Sequence, residues 1–216
     1  MGTNTHADRH LRALQLARAC VELGARVRTI GHLTRLPHKQ LQRLFFTDPQ
    51  AIPRGRPPDS PEWYHNANIL HRAAASVFGV RYQRLRQGQF PPVEALICGY
   101  RHYLGLYDTE PRISFDRAFD LASHLDGIWI AKSKSFSVAV CPHCHSEHLT
   151  AIGGASVQSN GCPFCKILQR FRTDPRVQTS FPIPPLVDPG KIVLGIEMLM
   201  EADAPVDGDI PPETSN

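Results

Sequence analysis

Four cysteines in two closely spaced pairs carry the clearest chemical signal in this chain. They form the motifs Cys141-Pro142-His143-Cys144 and Cys162-Pro163-Phe164-Cys165, and seventeen residues separate the two pairs. Each C-x-x-C turn folds back so that its two sulfurs point at one ion, and a loop of this length brings the second pair alongside the first. Four thiolates select zinc and leave no coordination position free for water or substrate. The pattern therefore predicts one structural zinc ion per chain, bound by all four cysteines.

Two alternatives use the same cysteines. Two disulfides or two redox-active C-x-x-C motifs are possible in principle, but the sequence around the pairs lacks the βαβ pattern that accompanies such redox motifs. Three histidines near the first pair, His143, His145 and His148, could compete as ligands. A cysteine pair at each end favours the all-sulfur set. We expect the other two cysteines, Cys20 and Cys98, to be buried thiols on predicted helices.

Composition points to a globular protein of the cytoplasm. The 216 residues are 42% hydrophobic, which is ordinary for a protein with a packed core. Reduced cysteines beside a zinc site are typical of the cytoplasm, and we expect neither a signal peptide nor a membrane span, because no apolar run is long enough. Motifs of hydrolases, phosphate loops and metalloproteases do not occur. An enzyme that uses the zinc would need an open coordination position, so we do not predict an enzyme.

Charge is distributed unevenly along the chain. The net charge is only +4, but between residues 8 and 43 eight arginines and lysines are opposed by Asp8 and Glu22 alone. From Glu201 onward there are five acidic residues and no basic one. A basic head with an acidic tail is typical of a protein that binds a polyanion through one end. Solvated helix faces are often rich in arginine as well.

Hydrophobic periodicity predicts a mainly α-helical fold with a small β-containing module. Helices are predicted at about residues 8–24, 25–33, 37–46, 63–86, 93–107 and 115–125, and short strands at 127–130 and 136–140. We therefore expect a helical domain over residues 8–126 and a zinc-binding module over 127–176. A proline-rich and acidic tail over 177–216 is expected to be flexible, with a short docking helix possible at 191–200.

Residues 25–46 have the pattern of a helix-turn-helix. The apolar residues that would pack two short crossed helices on each other are Ile30, Leu36, Leu41 and Leu44. Gly31 lies where such helices approach most closely, and Pro37 suits the first turn of the second helix. Arg35 stands in the turn, where glycine is common, so it must adopt a positive φ or the turn must differ.

The polar side chains of this segment are of the types that contact DNA. The second helix would direct outward His38, Lys39, Gln40, Gln42 and Arg43. Glutamine pairs bidentately with adenine, and arginine and lysine with guanine, whereas Arg26, Arg28 and Arg35 could hold phosphates. Further basic residues flank the predicted zinc module at Lys132, Lys134, Lys166, Arg170 and Arg172. The alternative is an ordinary helical hairpin whose basic face is only solvated.

An ordered series of motifs resembles a known family. The motifs are L-G-A-R-V at 23–27, I-x-x-L-T-x-L at 30–36, L-x-x-L-F at 41–45, P-R-G-R-P-P-D-S-P-E-W-Y at 53–64, A-x-x-C-G-Y-R-x-Y-L at 95–104, R-A-F at 117–119 and the two cysteine pairs. This order resembles the FlhC family of flagellar transcriptional regulators over about residues 9–172. In three places the chain departs from the family's pattern, with Arg35 in place of a glycine, Pro37 in place of a capping serine, and His145-Ser146 in place of glycines.

The resemblance implies a DNA-binding transcriptional activator of flagellar genes. In that family FlhC forms a hetero-oligomer with the small helical protein FlhD, binds promoter DNA and recruits RNA polymerase. The four cysteines that match those of this chain hold zinc in the family. A competing hypothesis makes the chain a zinc-stabilised protein–protein adaptor in a transcription complex, with the partner protein reading the DNA.

Overall fold

The computed structural model describes residues 6–47, 60, 62–106, 110–152 and 161–180. Its helices are α1 His6–Glu22, α2 Val27–Thr34, α3 His38–Phe45, α4 Glu62–Asn66, α5 Ile69–Gln87, α6 Pro92–Leu104, α7 Phe115–Asp126, α8 Pro163–Phe171 and α9 Pro175–Ser180. Two antiparallel strands, β1 Phe136–Val140 and β2 Glu147–Ala151, form a hairpin with Val138 opposite Leu149. The prediction of a mainly α fold with a small β-containing four-cysteine module is confirmed. The predicted loop over most of 48–61, the helix at 191–200 and the tail beyond 180 lie outside the described residues.

Three local predictions were wrong, each for a local reason. The helix predicted at 63–86 is divided into α4 and α5, because the Asn68 side chain accepts a hydrogen bond from the His71 N–H (2.9 Å) and starts a new helix. The strand predicted at 127–130 is a turn, since Gly127 ends α7 in the left-handed conformation (φ 70°). Strand β2 was not predicted because it contains only one large apolar residue, Leu149.

The two cysteines outside the pairs lie in different environments. Cys20 lies on the buried face of α1, as predicted, and burial raises the pKa of its thiol to about 12. Cys98 is exposed, and the prediction that it is buried was wrong. Its two chain neighbours Ile97 and Gly99 are buried, so Cys98 falls on the outer face of α6.

Helix α5 is the central element of the described fold. It packs against α6, α7, α8 and the hairpin. Its Phe78 and Tyr82 are fully buried, and Tyr100 of α6 meets Phe115 of α7 edge to face with ring centroids 5.2 Å apart. Aromatic pairs in this geometry stabilise a core by about 0.5–1.5 kcal/mol beyond the area they bury. The aromatic cluster fixes the helices on which the other elements pack.

The hairpin belongs to the same core as the helices. Leu149 of β2 is 1% exposed and packs directly on Gly79 of α5, where a Cβ would lie 2.7 Å from the leucine Cδ2. The Leu149 N–H donates to Ser76 Oγ (3.2 Å), and its carbonyl accepts from the Tyr64 hydroxyl (3.0 Å). The outer edge of β2 is therefore hydrogen-bonded to α4 and α5 instead of to another strand.

Asp116 of α7 anchors the start of α2. The carboxylate is 2% exposed and accepts hydrogen bonds from Thr29 Oγ1 (2.6 Å), the Arg26 backbone N–H (3.2 Å) and Arg26 Nη1 (3.1 Å). Arg26 is the N-cap residue of α2, and its own side chain makes no capping bond. A carboxylate from another helix thus satisfies the first orphan donor of α2 and complements the positive end of its dipole.

The contact between Gly79 and Leu149 predicts opposite effects for two glycine-to-alanine changes in helices. Gly79→Ala forces a methyl into a filled space, and we expect it to lower the free energy of unfolding by about 1–3 kcal/mol. Gly31→Ala places its methyl 3.7 Å from the Leu36 carbonyl oxygen, an ordinary contact, and should raise stability by about 0.5–1 kcal/mol. Urea unfolding of both variants measures this, and equal effects would contradict the close packing at Gly79.

The buried carboxylate predicts a large effect of Asp116→Ala. The change leaves Arg26 and Thr29 without their buried acceptor, so we expect a loss of about 3 kcal/mol of unfolding free energy. Glu22→Ala is the matched control, because the Glu22 carboxylate pairs only with exposed arginines and should contribute less than about 1 kcal/mol. Similar losses in the two variants would show that Asp116 does not anchor α2.

Candidate metal centre and candidate nucleic-acid interface

The first cysteine pair lies at the tip of the hairpin. Cys141 follows the last residue of β1, and its N–H donates to the Ser146 carbonyl (3.0 Å), which closes the turn. The His145 N–H donates to the Cys141 carbonyl (2.9 Å), and His145 has φ 57°. The strands thus fix both ends of the turn, and His145 takes the left-handed position that glycine usually occupies.

The second pair lies at the start of α8. Cys162 is the N-cap residue, Pro163 occupies the first turn and Cys165 follows on the same turn. Proline suits this position because its missing N–H would have no intrahelical partner. The positive end of the helix dipole favours negative charge on the two sulfurs. Both pairs are therefore held by regular secondary structure.

The four sulfurs form a compact group. Cys141 Sγ is 3.7 Å from Cys165 Sγ, Cys144 Sγ is 3.6 Å from Cys162 Sγ, and all four lie within 4.8 Å of one another. A regular tetrahedron of sulfurs with metal–sulfur bonds of about 2.3 Å has edges of about 3.8 Å. The two separations of 3.7 Å and 3.6 Å match these edges and are well above the length of about 2.05 Å of a disulfide bond. The donor set and its size fit zinc.

The sulfurs perturb one another's protonation. Hydrogen bonds with Ser146 lower the pKa of Cys144 to about 6, whereas the neighbouring Cys144 sulfur and burial raise the pKa of Cys165 to about 12. Burial also raises the pKa of Cys162. Protons are therefore shared unevenly within the group, and a divalent cation that binds it displaces them. Sequence reasoning missed Ser146; its only signal was a hydroxyl side chain two residues after Cys144.

The three histidines near the first pair are not part of the sulfur group. Among the described residues, the ligand atoms that lie together are the four cysteine sulfurs alone. His143 and His145 are exposed, and His148 is buried on β2 opposite Ala139. The geometry favours the all-sulfur set over a mixed one.

Helices α2 and α3 form two short helices joined by a tight turn. Arg35 ends α2 with φ 63°, which confirms the positive φ expected at this position. Pro37 immediately precedes α3 with φ −62°, so it is the N-cap residue and not part of the first turn. Thr34 Oγ1 donates to the Ile30 carbonyl (2.8 Å) and accepts from the Leu36 N–H (3.3 Å), which fixes the turn.

The apolar residues of this segment differ in burial. Ile30, Leu36 and Leu41 are buried, as expected for the contact between two crossed helices. Leu44 is 46% exposed, so the prediction that it packs in this contact was wrong. Gly31 is not required by close approach either, because a methyl at this position would meet its neighbours at ordinary distances.

Most of the predicted DNA-contacting side chains share one property, which is exposure to solvent. The exposed ones are Arg28, Arg35, His38, Lys39, Gln42 and Arg43. Gln40 is partly buried, with its Nε2 3.5 Å from His10 Nε2. Arg26 forms the ion pair with Asp116, so its charge has a structural role in the fold. Contact of these residues with DNA stays a prediction.

The basic side chains around the turn form no ion pairs with the described carboxylates. In the described parts of the chain, no carboxylate forms an ion pair with Arg28, Arg35, Lys39 or Arg43. His32, which stacks on Phe119 with centroids 6.0 Å apart, has its pKa lowered by burial and then by Arg28 and Arg35. The surface of α2 and α3 is therefore electropositive and fits a polyanion.

The basic residues that flank the cysteine pairs are also accessible. Lys132, Lys134, Arg170 and Arg172 are exposed, and Lys166 is half-buried beside Cys165. They lie on the turn before β1 and on or just after α8.

No described helix is long and apolar enough to cross a membrane.

Comparison with known proteins relates this chain to the FlhC family. Residues 6–176 match the FlhC family, described as flagellar transcriptional activator. The flagellar transcriptional regulator FlhC of Sodalis glossinidius is 29% identical over 145 residues, 64% of this chain and 70% of that protein. The one from Cupriavidus metallidurans is 29% identical over 132 residues, 58% of this chain and 61% of that protein. The one from Proteus mirabilis is 26% identical over 149 residues, 66% of this chain and 72% of that protein.

The match covers helices α1 to α8, the hairpin and both cysteine pairs together. It agrees with the resemblance that the ordered motifs predicted, and the proteins of this family regulate transcription. The chain belongs to the FlhC family of flagellar transcriptional activators.

Proposed function

We propose that this protein is a DNA-binding transcriptional activator of flagellar genes that acts in the cytoplasm in a hetero-oligomer with an FlhD-type partner and recruits RNA polymerase. The observation that carries the proposal is the exposed basic surface of α2 and α3, on which Arg28, Arg35, Lys39 and Arg43 have no described acidic partner. Uncompensated like charges repel one another, and phosphates relieve that repulsion on binding. Family membership supports the same role.

The geometry of α2 and α3 supports direct contact with bases. Helix α3 is eight residues long, and its first turn presents His38 and Lys39 to solvent, with Gln42 and Arg43 one turn later. A recognition helix contacts base edges with residues near its N-terminus. Behind it, Leu41 is fully buried against the core, so the exposed side chains project from a fixed support.

We assign the metal site to one zinc ion with a structural role. Four sulfurs fill a tetrahedral shell, so the ion would hold the hairpin turn and the start of α8 together. A small apolar cluster separate from the main core holds this end of the fold. In it, Ile167 of α8 and Val177 of α9 pack on Ala73 of α5. Such a cluster buries little apolar area, and metal binding supplies roughly 10 kcal/mol or more to comparable small modules.

Charge reversal at α3 tests direct DNA contact. Lys39→Glu with Arg43→Glu places two carboxylates where phosphates or guanines would lie, and we expect promoter binding to weaken by at least about a hundredfold. A mobility-shift titration with an FlhD-type partner measures this. Arg81→Glu, on the exposed side of α5, is the control and should bind normally.

The adaptor hypothesis predicts a different result for the same variants. If only the partner contacts DNA, promoter binding stays unchanged while the partner complex, followed by gel filtration, remains intact. If α3 contacts DNA, the partner complex remains intact but binding is lost. The slope of log K against log salt should also become shallower by about 0.9 for each phosphate contact removed.

Loss of zinc should increase local unfolding of the hairpin and α8 and leave the core of α5, α6 and α7 folded. Cys144→Ser or a strong chelator removes the link between hairpin and α8, so amide exchange should rise at β1, β2 and α8. The aromatic core of α5, α6 and α7 should stay protected, because it does not contain the metal site. Cys98→Ser is the control, since Cys98 is exposed and distant in sequence from the cluster. Unchanged exchange at α8 after zinc removal would contradict the structural role.

A further inference from the structure

Two motifs that the DNA-binding surface does not use meet at a small cavity. Trp63 comes from the segment 53–64, and Arg117 comes from the R-A-F motif. Together with Asn66, Ala67, Asn68 and His71 they line a cavity of about 260 Å³. A water molecule takes about 30 Å³ of liquid volume, so the cavity has room for a phosphate group and several waters.

Arg117 is fixed in place without an acidic partner. Its guanidinium carbon lies 5.1 Å from the centroid of the Trp63 ring, which it covers. No described carboxylate forms an ion pair with it. Stacking engages the face of a guanidinium and leaves its N–H edge for bidentate hydrogen bonds to an oxyanion.

The Trp63 ring is itself anchored. Its Nε1–H donates to Asp120 Oδ2 (2.7 Å), and Asp120 is fully buried. The other Asp120 oxygen lies 3.7 Å from His124 Nε2. One oxygen of the Asp120 carboxylate is therefore occupied by the indole N–H. The platform beneath Arg117 is rigid, which lowers the entropic cost of binding an anion.

Two arginines, Arg117 and Arg112, act electrostatically on His71, which lines the cavity. His71 Nδ1 donates to Asn68 Oδ1 (2.8 Å), because that oxygen can only accept, and this leaves Nε2 of the neutral ring without its proton. Burial lowers the pKa of His71, and Arg117 and Arg112 lower it further. Two arginines thus act on one small site, and an anion there would relieve their repulsion.

We propose that the cavity lined by Trp63 and Arg117 is a phosphate-binding site. Arg117 would bind the phosphate oxygens bidentately, Arg112 would supply further positive charge and the Asn66 amide could donate to the remaining oxygens. The phosphate could belong to the backbone of nucleic acid or to a small phosphorylated molecule. The site does not depend on base reading by α3, so either proposal can fail without the other.

The test titrates inorganic phosphate into the full-length, zinc-loaded protein at constant ionic strength. The chain has two tryptophans, so a Trp129→Phe background makes Trp63 the reporter of its own site. We expect a saturable change in Trp63 emission, with chloride at equal ionic strength giving none. Isothermal titration of the unsubstituted protein gives the same constant without relying on the Trp129→Phe background.

Substitutions identify the arginine that binds the phosphate. Arg117→Gln removes the charge-assisted hydrogen bonds and should weaken phosphate binding at least about tenfold. Arg112→Gln should weaken it less, and Arg81→Gln, on the exposed side of α5, should leave it within about twofold of the parent. Circular dichroism checks that each variant is folded. Equal affinity of Arg117→Gln and the parent, or an equal response to chloride, would overturn the proposal.

A second arm identifies the source of the phosphate. If it belongs to the nucleic acid backbone, duplex DNA competes with inorganic phosphate, and Arg117→Gln makes the salt dependence of DNA binding shallower by about 0.9. If it belongs to a small molecule, phosphate binds equally well to the free and the DNA-bound protein. Either result supports the site, because both require phosphate to bind there.

Discussion

The contact between Leu149 and Gly79 is the constraint on which the relative placement of the metal centre and the helices depends. Only a residue without a side chain lets β2 approach α5 this closely, and Leu149 then fills the space completely. Ser76 and Tyr64 take the backbone N–H and carbonyl of the same leucine, so the strand cannot slide along the helix without losing both bonds. The hairpin that bears the first cysteine pair is held at one register.

From α5 the same rigidity extends to the basic surface. Helix α7 packs on α5, and its Asp116 fixes the first turn of α2 through Arg26 and Thr29. One turn after Asp116 in α7, Phe119 stacks on His32 of α2. The hairpin that bears the first cysteine pair and the α2–α3 pair are thus connected through buried contacts among the described residues of α5, α7 and α2. A rigid arrangement of this kind suits a protein whose separate basic segments must match the fixed spacing of phosphates on one duplex.

The sequence predicted that the four cysteines come together, because the signal for this grouping is local. Cysteine spacing alone identified four residues whose sulfurs lie within 4.8 Å of one another. The positive φ of Arg35 followed in the same way from the turn pattern. What could not be predicted depends on partners distant in the chain. Asp116 looked like an ordinary residue of the first turn of α7, and nothing near it shows that it anchors a helix ninety residues earlier.

Errors of the sequence analysis arose where the solvent-facing side of an element was decided by tertiary packing. Leu44 fits the helix-turn-helix pattern but is 46% exposed, whereas Leu41, one turn earlier on α3, is fully buried. Cys98 shared an apolar stretch with Ile97 yet points outward. Periodicity gives the existence of a helix more reliably than its exact buried side, because neighbouring stripes differ by one residue, or about 100°.

The arginines of this protein show why charge counts alone are weak evidence for function. Arg26 and Arg86 are both in a sequence rich in basic residues, but each is paired with a partly or fully buried carboxylate, Asp116 or Asp126. Such pairs hold the fold together and offer no charge to a ligand. Arg28, Arg35 and Arg117 have no described carboxylate partner, so their charge is available to an anion. Only the structure separates these two groups of arginines, and the proposed anion binding depends on the second group.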